Sequence, residues 1–502
     1  MKIELVKKLD KERVPVFLIK EGAKAERHPF AKFLSKEDIT YLRAFEAKMP
    51  IKTGSTNMIF FPSGSRVFIL GVEARAKFNH RRAILAARRA VSYARKERIK
   101  EIVVNLEDFA TPFVKDSKAV AELIATQFEL ANFEFIAYKT APPEGWSFVE
   151  GVFVASEKNS KTIVDALCAG QIIGWEINLA RDLSNTPGGD MTPASLAEAA
   201  IRSGKQCGFK VSVLEKEEME KLGMGGVLGV AKGSSELPKF IVMEYMKGKK
   251  SEKPTVLVGK GVTFDTGGLN LKPEQGIYEM HMDMTGGAGV IHTIAALARL
   301  KVKKNIIGLV PAVENMPSGS SYHPGDVLRT MSGKTIEILN TDAEGRVILA
   351  DALTYAQRYN PRLVIDVATL TSSAMSALGQ RASALFATTP ALIKSFQEFG
   401  ERTGDYVWPL PLWEEYEEDI KGTFGDVTNS TKSRYGGVVT AAAFLWQFIK
   451  NPPSKVSGHP PAAPAWVHLD IAPRMTAIEG EFLSKGAVGA SIALLTAFLR
   501  KF

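Results

Sequence analysis

The sequence is short of cysteine, of histidine and of long uncharged apolar runs, and each shortage excludes something. Two cysteines, Cys168 and Cys207, in 502 residues are too few for a disulfide framework or a thiolate metal site. They fit a reducing compartment, the cytoplasm by default. Seven histidines, scattered from His28 to His468, form no pair at ligand spacing, and no His-Glu-x-x-His string occurs, so any metal here would need oxygen ligands. No stretch approaches the roughly 18 to 20 uncharged apolar residues of a membrane-spanning helix. The first eleven residues carry Lys2, Glu4, Lys7, Lys8, Asp10 and Lys11 with no apolar run behind them, so no secretion signal and no membrane are expected. Nucleotide motifs are missing as well. Met331-Ser-Gly-Lys-Thr335 resembles the end of a Walker A loop, but Leu328 stands where that loop needs glycine. The glycines of Gly223-Met-Gly-Gly-Val-Leu-Gly229 are out of register for a dinucleotide fingerprint and read as a flexible turn before a strand.

What is present is an ordinary globular composition, 45% hydrophobic and 24% charged, long enough for two to four domains at about 100 to 200 residues each. The net charge of +9 is uneven: residues 1–160 hold 28 Lys and Arg against 20 Asp and Glu, whereas residues 161–502 hold 36 against 35. In the first part, apolar runs Val14 to Ile19, Met58 to Phe61, Val67 to Val72 and Ile102 to Val104 alternate with helix-period segments Arg81 to Arg98 and Ala119 to Asn132. Arginines 81, 88 and 95 recur at intervals of seven on the first helix. That stripe is either a solvated flank or a footprint for nucleic acid. An amphipathic segment, Ser160 to Leu183, leads to the turn-rich string Asn185-Thr-Pro-Gly-Gly-Asp-Met-Thr-Pro193.

Beyond it, strand runs such as Lys239 to Glu244, Thr255 to Val258, Ile306 to Val310, Leu363 to Val367 and Trp466 to Ile471 are separated by helical patterns at Gly289 to Leu300, Arg346 to Tyr359 and Thr440 to Ile449. Near-continuous apolar strands between amphipathic helices predict a buried sheet covered on both faces. The expected architecture is α/β with two domains: a small N-terminal α/β domain over 1–155, a connecting helix and linker over 156–192, and a larger catalytic domain over 193–502 with a central mixed sheet flanked by helices. Asn451 to Pro464, with five prolines, reads as a surface loop.

Oxygen ligands are concentrated in one region. Lys260, Asp265, Lys272, Asp283, Asp342, Glu344 and Arg346 lie at or just beyond apolar strands, amid glycines, and strand ends are where open α/β sheets gather ligands. Carboxylates converging in one cleft repel unless protonated or bridged by cations, and two ions about 3.5 to 4 Å apart would resolve the repulsion. Asp342 and Glu344, one residue apart, point to the same side of an extended backbone. Thr341-Asp-Ala-Glu344 equally fits a capping box opening a helix. Lys260 and Lys272 also fit surface or salt-bridging lysines, and Asp265 and Asp283 turn aspartates.

Taken together, Asn340-Thr-Asp-Ala-Glu-Gly-Arg346, Val258-Gly-Lys-Gly-Val-Thr-Phe-Asp-Thr-Gly-Gly268, Asp283-Met-Thr-Gly-Gly287 and Glu314-Asn-Met-Pro-Ser-Gly319 closely resemble the leucyl aminopeptidase family, the cytosolic dinuclear metallo-aminopeptidases. The dense match runs over 254–372, with weaker similarity over 180–475. The resemblance implies that Lys260, Asp265, Asp283 and Glu344 hold the tighter metal, and that Asp265, Asp342 and Glu344 hold a more exchangeable one. It implies zinc, with manganese or magnesium at the exchangeable site. A lysine ligand must be neutral, which burial and nearby cations would enforce.

The implied reaction is hydrolysis of the first peptide bond of a peptide with a free amino terminus, through a water shared by both ions. Lys272 is implied as the oxyanion stabiliser and Arg346 as the holder of a bicarbonate that carries the proton. Met280, Thr369, Leu370, Ser372 and Met475 are implied to line the pocket for the first side chain, and the chain to assemble as a homohexamer. Ser372 departs from the family's glycine, leaving the preferred residue open. Two other readings stand beside this one: a nucleic-acid-binding protein using the basic helix, and another dinuclear-metal amide or ester hydrolase.

Overall fold

The computed structural model describes every residue except 8, 9, 11, 158, 159 and 451–462. Most of the proline-rich stretch 451–464 therefore lies outside the described residues. The chain forms two compact units, Met1–Asn178 with Ile478–Lys485, and Leu179–Ala477 with Gly486–Phe502. The division falls inside one continuous helix, Lys161–Asn185. Among the described helices this one alone is long and apolar enough to cross a membrane by length and composition. It also carries Asp165, Glu176, Arg181 and Asp182, and 56% of its most apolar window is buried, which is how the core helix of a globular protein behaves.

The first unit is a six-stranded sheet built from β1 (Lys2–Val6), β2 (Val14–Lys20), β3 (Thr56–Phe60), β4 (Arg66–Val72), β5 (Glu101–Asn105) and β6 (Gly151–Ala155), in the order β1-β6-β5-β2-β4-β3. Only the β3–β4 pair is antiparallel. Strands of Val, Ile and Phe with both faces covered produce the apolar runs seen in the sequence. The basic helix is His80–Lys96. Its Ala83, Ala87, Ala90, Val91 and Ala94 are buried in the core, and the structure uses much of its arginine stripe internally. Arg88 and Arg89 are buried; Arg88 Nε donates to Gln127 Oε1 at 2.7 Å, and Arg89 Nη2 donates to the Gly71 carbonyl. Arg95 donates to the carbonyls of Ser147, Ala131 and Phe133 at 3.0 to 3.2 Å and pairs with Glu134. Of the arginines recurring every seven residues, Arg88 and Arg95 are thus hydrogen-bonded within the unit, whereas Arg81 is exposed.

The second unit carries a nine-stranded sheet from β7 (Lys210–Leu214), β8 (Lys239–Met246), β9 (Thr255–Gly259), β10 (Gly261–Asp265) and β11 (Asn305–Asn315). A small three-stranded sheet comprises β12 (Val327–Arg329), β13 (Thr335–Glu337) and, later in the chain, β17 (Val427–Thr428). The large sheet is completed by β14 (Leu363–Ala368), β15 (Ser383–Ala387), β16 (Val407–Pro409) and β18 (Ala465–Asp470), in the order β16-β15-β18-β14-β9-β11-β8-β7, with β10 beside β11. Strands β18, β14, β9 and β11 run parallel, whereas β11–β8, β8–β7 and β15–β18 are antiparallel. The sheet is thus mixed with a parallel centre. Helices Thr285–Arg299 and Glu344–Ala356 are almost wholly buried.

One local expectation is overturned. Gly225–Ala231 is a helix, not a flexible turn. Its glycines serve contact: a Cβ on Gly225 would stand 2.1 Å from the Arg329 carbonyl oxygen and one on Gly226 2.5 Å from that of Val347. Asp351 accepts from Val227 N at 2.9 Å near its start.

Candidate metal centre

The parallel strands end together, and their ends supply the site. Lys260 follows β9, Asp265 closes β10, Asn315 closes β11, Thr369 follows β14 and Asp470 closes β18. Helix Thr285–Arg299 approaches closely because Gly286 and Gly287 have no side chains: Gly287 N donates to the Lys260 carbonyl at 2.7 Å, and a Cβ on Gly286 would stand 2.2 Å from the Val367 carbonyl oxygen. That approach brings Asp283, just before the helix, against Lys260. Lys260 Nζ lies 2.7 Å from Asp283 Oδ2 and 2.8 Å from Glu344 Oε1 and donates to the Thr369 carbonyl at 3.0 Å. The Thr369 hydroxyl donates to Asp283 Oδ1 at 2.7 Å.

Glu344 is the first residue of its helix. The expected capping box is absent, since the helix has no side-chain cap. The Thr341 hydroxyl instead donates to the Gly267 carbonyl at 2.6 Å and accepts from Asn270 N at 2.8 Å, joining the two loops that carry Asp265 and Asp342. Asp342 and Glu344 reach one place through this turn, not along an extended strand. One carboxylate oxygen from each of Asp265, Asp342 and Glu344 lies within a 4.8 Å span. Gly267 has φ +86°, open to glycine at no steric cost. Gly345 leaves room for the Lys260 amine, since a Cβ there would come 2.5 Å from Lys260 Cε and push that side chain aside.

Lys272 faces the same carboxylates, 2.8 Å from Asp265 Oδ2 and ion-paired with Asp342 Oδ1. Asp265 Oδ1 accepts from Gly267 N at 2.9 Å and from Asn315 Nδ2 at 2.8 Å. Asn315 was not singled out in the sequence as a site residue, although it sits within a family string; it is fully buried and also donates to the Thr341 carbonyl at 2.9 Å. Asp470 likewise escaped notice, and holds Leu370 N and the Thr371 hydroxyl at 3.1 and 2.7 Å.

The electrostatics follow from burial. Desolvation alone would lower the Lys260 ammonium, but the Asp283, Glu344 and Asp265 carboxylates outweigh it and hold it above the ordinary lysine range. Lys272 is raised in the same way, chiefly by Asp265. Burial, reinforced by neighbouring carboxylates, pushes Asp283 up to about 8 and Asp342 up to about 6. Arg346, buried near Glu344 and Asp470, is lowered by desolvation to about 10 and remains a cation at neutral pH. The buried oxygens Asp283 Oδ2 and Glu344 Oε1 are held by the Lys260 ammonium and Asp342 Oδ1 by that of Lys272, while Arg346 Nε donates no hydrogen bond among the described residues. Buried carboxylates crowded around ammonium groups, more of them than two lysines can neutralise, have the chemistry of a divalent-cation site.

The expected pocket residues spread over neighbouring elements. Met280 and Met475 pack with Met282 and Ala487 in a small apolar cluster. Thr369 turns its hydroxyl to Asp283, Leu370 packs against the main core, and Ser372 is exposed at the start of helix Ser372–Leu378.

Residues 178–496 match the model of the cytosol aminopeptidase family, catalytic domain, and residues 17–142 match that family's N-terminal domain. The chain belongs to the cytosol aminopeptidase family. Members it is similar to include a probable cytosol aminopeptidase of Azoarcus sp. (strain BH72), 50% identical over 343 residues that span 68% of this chain and 65% of that protein. Another, from Methylobacillus flagellatus, is 39% identical over 90% of this chain and 88% of its own length. The chain thus spans under two thirds of the Azoarcus relative. Among solved structures, the bottromycin maturation enzyme BotP is similar, with a TM-score of 0.81 and 30% identity, covering 97% of this chain and 98% of its own. A structure of BotP in complex with Mn is similar to the same degree, with a TM-score of 0.81 and 29% identity over 98% of this chain and 99% of that one.

Proposed function

We propose that this family member removes the amino-terminal residue from peptides that carry a free α-amine, in a reaction dependent on two divalent cations. The observation that carries the proposal is the convergence of Asp265, Asp342 and Glu344, their oxygens within a 4.8 Å span, beside the buried Lys260 and Asp283. Lys260, Asp265, Asp283 and Glu344 would hold one cation, and Asp265, Asp342 and Glu344 the other. Zinc suits the set that includes an amine nitrogen; manganese or magnesium suits the all-oxygen set. When bound, such a pair supplies Lewis-acid polarisation of a carbonyl and a water acidified towards neutral pH.

The chain's own groups do the rest. Lys260 must give up its Nζ proton to act as a ligand, so loading the site expels that proton. Lys272 keeps its proton and presents an ammonium at the cluster's edge, where it would stabilise negative charge developing on the scissile carbonyl oxygen. Arg346 offers an unpartnered, buried Nε beside the same carboxylates, a place for a small anion such as bicarbonate that could exchange a proton. Asp265 and Glu344 are consumed as ligands and are not free to act as bases. The thioethers of Met280 and Met475 form a deformable apolar surface for the first side chain, with Thr369, Leu370 and Ser372 as the proposed remaining wall. A homohexameric assembly, implied by the family resemblance, and a cytoplasmic location, in keeping with relatives named cytosol aminopeptidases, complete the proposal.

The test is a panel of fluorogenic aminoacyl amides, each with an amino-terminally acetylated counterpart, assayed with Zn2+ or Mn2+ and with chelator. Turnover restricted to free amines and abolished by chelation is expected. Equal turnover of acetylated substrates would favour another dinuclear amide or ester hydrolase. No turnover with two ions bound per chain would reject the proposal.

A further inference from the structure

The loop that brings Asp342 and Glu344 together has two hydrogen bonds of its own, Ala343 N to the Asn340 carbonyl at 3.2 Å and Asp342 N to Asn340 Oδ1 at 2.8 Å. Residues Asn340 to Ala343 lie between β13 and a helix without a side-chain cap, so something else must fix the turn. At its middle, Asn270 accepts from Thr341 N while Asn315 and Tyr322 donate to the Thr341 carbonyl, and one side chain, Asn429, holds both of its ends. Asn429 is fully buried. Its Oδ1 accepts from Leu339 N at 2.8 Å and from Asn340 N at 3.3 Å. Its Nδ2 donates to the Asn340 carbonyl at 2.6 Å and, more weakly, to the Ala343 carbonyl at 3.4 Å. The amide therefore grips the segment by both donors and acceptors, from the residue before the turn to the residue that precedes Glu344.

Asn429 is itself held from below. It directly follows β17, which pairs in parallel with β13 so that Glu337 stands opposite Thr428, and Asn429 N donates to the Glu337 carbonyl at 3.1 Å. The Glu337 carboxylate anchors the approach to β17, accepting from Thr423 N and Phe424 N at 2.7 and 2.8 Å. The small sheet thus delivers one asparagine to the underside of the ligand loop.

We infer that Asn429 is a positioning residue for the metal centre: its amide sets the turn that aims Asp342 and Glu344 at their shared point with Asp265. The inference rests on the two-cation reading of the site. Outer-shell groups of this kind carry about 10-fold to 100-fold in metal affinity or activity. A side chain with neither donor nor acceptor loses the whole grip. Aspartate, of the same shape, keeps the acceptor for Leu339 N and Asn340 N and loses the donor.

The experiment measures Mn2+ affinity of the full-length protein by equilibrium dialysis for the wild type, Asn429→Ala and Asn429→Asp, at a temperature where each is folded. Phe396→Leu serves as the control for stability loss, since Phe396 packs against Phe498 at 4.6 Å between ring centroids, apart from the ligand loop. Asn429→Ala is expected to bind Mn2+ about 10-fold to 100-fold more weakly, Asn429→Asp to fall between it and the wild type, and Phe396→Leu to match the wild type whatever its Tm. Asn429→Ala within threefold of the wild type, or Phe396→Leu weakened equally, would overturn the inference. Should Asn429→Ala fail to fold, Asn429→Ser takes its place under the same criterion. Dialysis reads cation binding without turnover, so a wild type that binds two ions but hydrolyses no free-amine substrate would reject the proposed reaction and leave the role of Asn429 standing.

Discussion

Replacing Lys272 with alanine separates the two things its ammonium does. Nζ lies 2.8 Å from Asp265 Oδ2 and pairs with Asp342, and its side chain is 16% exposed. In the metal-free protein it is the counter-ion of two crowded carboxylates. Removing one partner of a buried charge pair costs about 3 to 5 kcal/mol, and the residual exposure places Lys272→Ala near the lower end. Protonation of Asp342, already raised to about 6, relieves part of that cost at acid pH. Bound cations supply the missing positive charge, so metal should rescue the stability of the variant by more than it adds to the wild type. Catalysis has no such rescue. Loss of one electrostatic oxyanion donor lowers kcat by about 10² to 10³, or about 2.7 to 4 kcal/mol. The assay pairs kcat and KM on a leucyl amide with metal stoichiometry by mass spectrometry and with Tm in the presence and absence of Mn2+. A variant that binds two ions and keeps kcat within threefold of the wild type would refute the role given to Lys272.

Other expected outcomes are open to direct measurement. Gly345→Ala puts a methyl 2.5 Å from Lys260 Cε and 2.7 Å from Nζ; displacement of that amine should weaken metal binding about 10-fold or more, and unchanged affinity by dialysis would show that Lys260 is no ligand. Cations compete with protons for Lys260, raised above its usual range, for Asp283 at about 8 and for Asp342 at about 6. Affinity should therefore climb with pH, by about one power of ten per unit above pH 8 and more steeply below it as further protons must leave; calorimetry in buffers of different ionisation enthalpy counts the protons, and flat affinity from about pH 5.5 to 8.5 would contradict the ligand set. Glu344→Gln should deplete both ions, because it removes a shared carboxylate, and a variant retaining two ions by metal analysis would argue against sharing. Arg95→Ala gives up three carbonyl partners and Glu134 and should cost about 2 kcal/mol of stability in urea unfolding. Duplex DNA binding that survives at about 100 mM salt, falls steeply as salt rises and loses that dependence when Arg81, Arg88 and Arg95 are replaced would support the nucleic-acid reading, and no retention at about 100 mM salt would reject it.

The period of the apolar residues was enough to predict an α/β chain with a buried sheet, because strands covered on both faces and helices covered on one leave different traces in sequence. The runs at Thr255 to Val258 and Leu363 to Val367 fall on β9 and β14. Lys260, Asp265, Lys272, Asp283, Asp342 and Glu344 stood out through the family resemblance of their strings, while spacing alone left each open to a surface, turn or cap reading. Local spacing could not say how they meet. Thr341 and Glu344 have the spacing of a capping box, yet Thr341 bonds to a loop more than seventy residues earlier, and Asp342 reaches Glu344's side through a turn. Gly225 and Gly226 resembled a loop because their reason, a neighbouring carbonyl within 2.5 Å of each absent Cβ, lies in distant segments. The arginines of His80–Lys96 kept a surface-like period while Arg88 and Arg89 became buried.

Residue chemistry and periodicity are properties of neighbours along the chain, so the sequence alone determined the elements and the oxygen-rich character of the candidate site. Which oxygens share a point, which lysine holds which carboxylate and that Asn429 underpins Asp342 were decided only when strands far apart in sequence ended side by side. Those relations depend on distances that the chain's order does not encode locally.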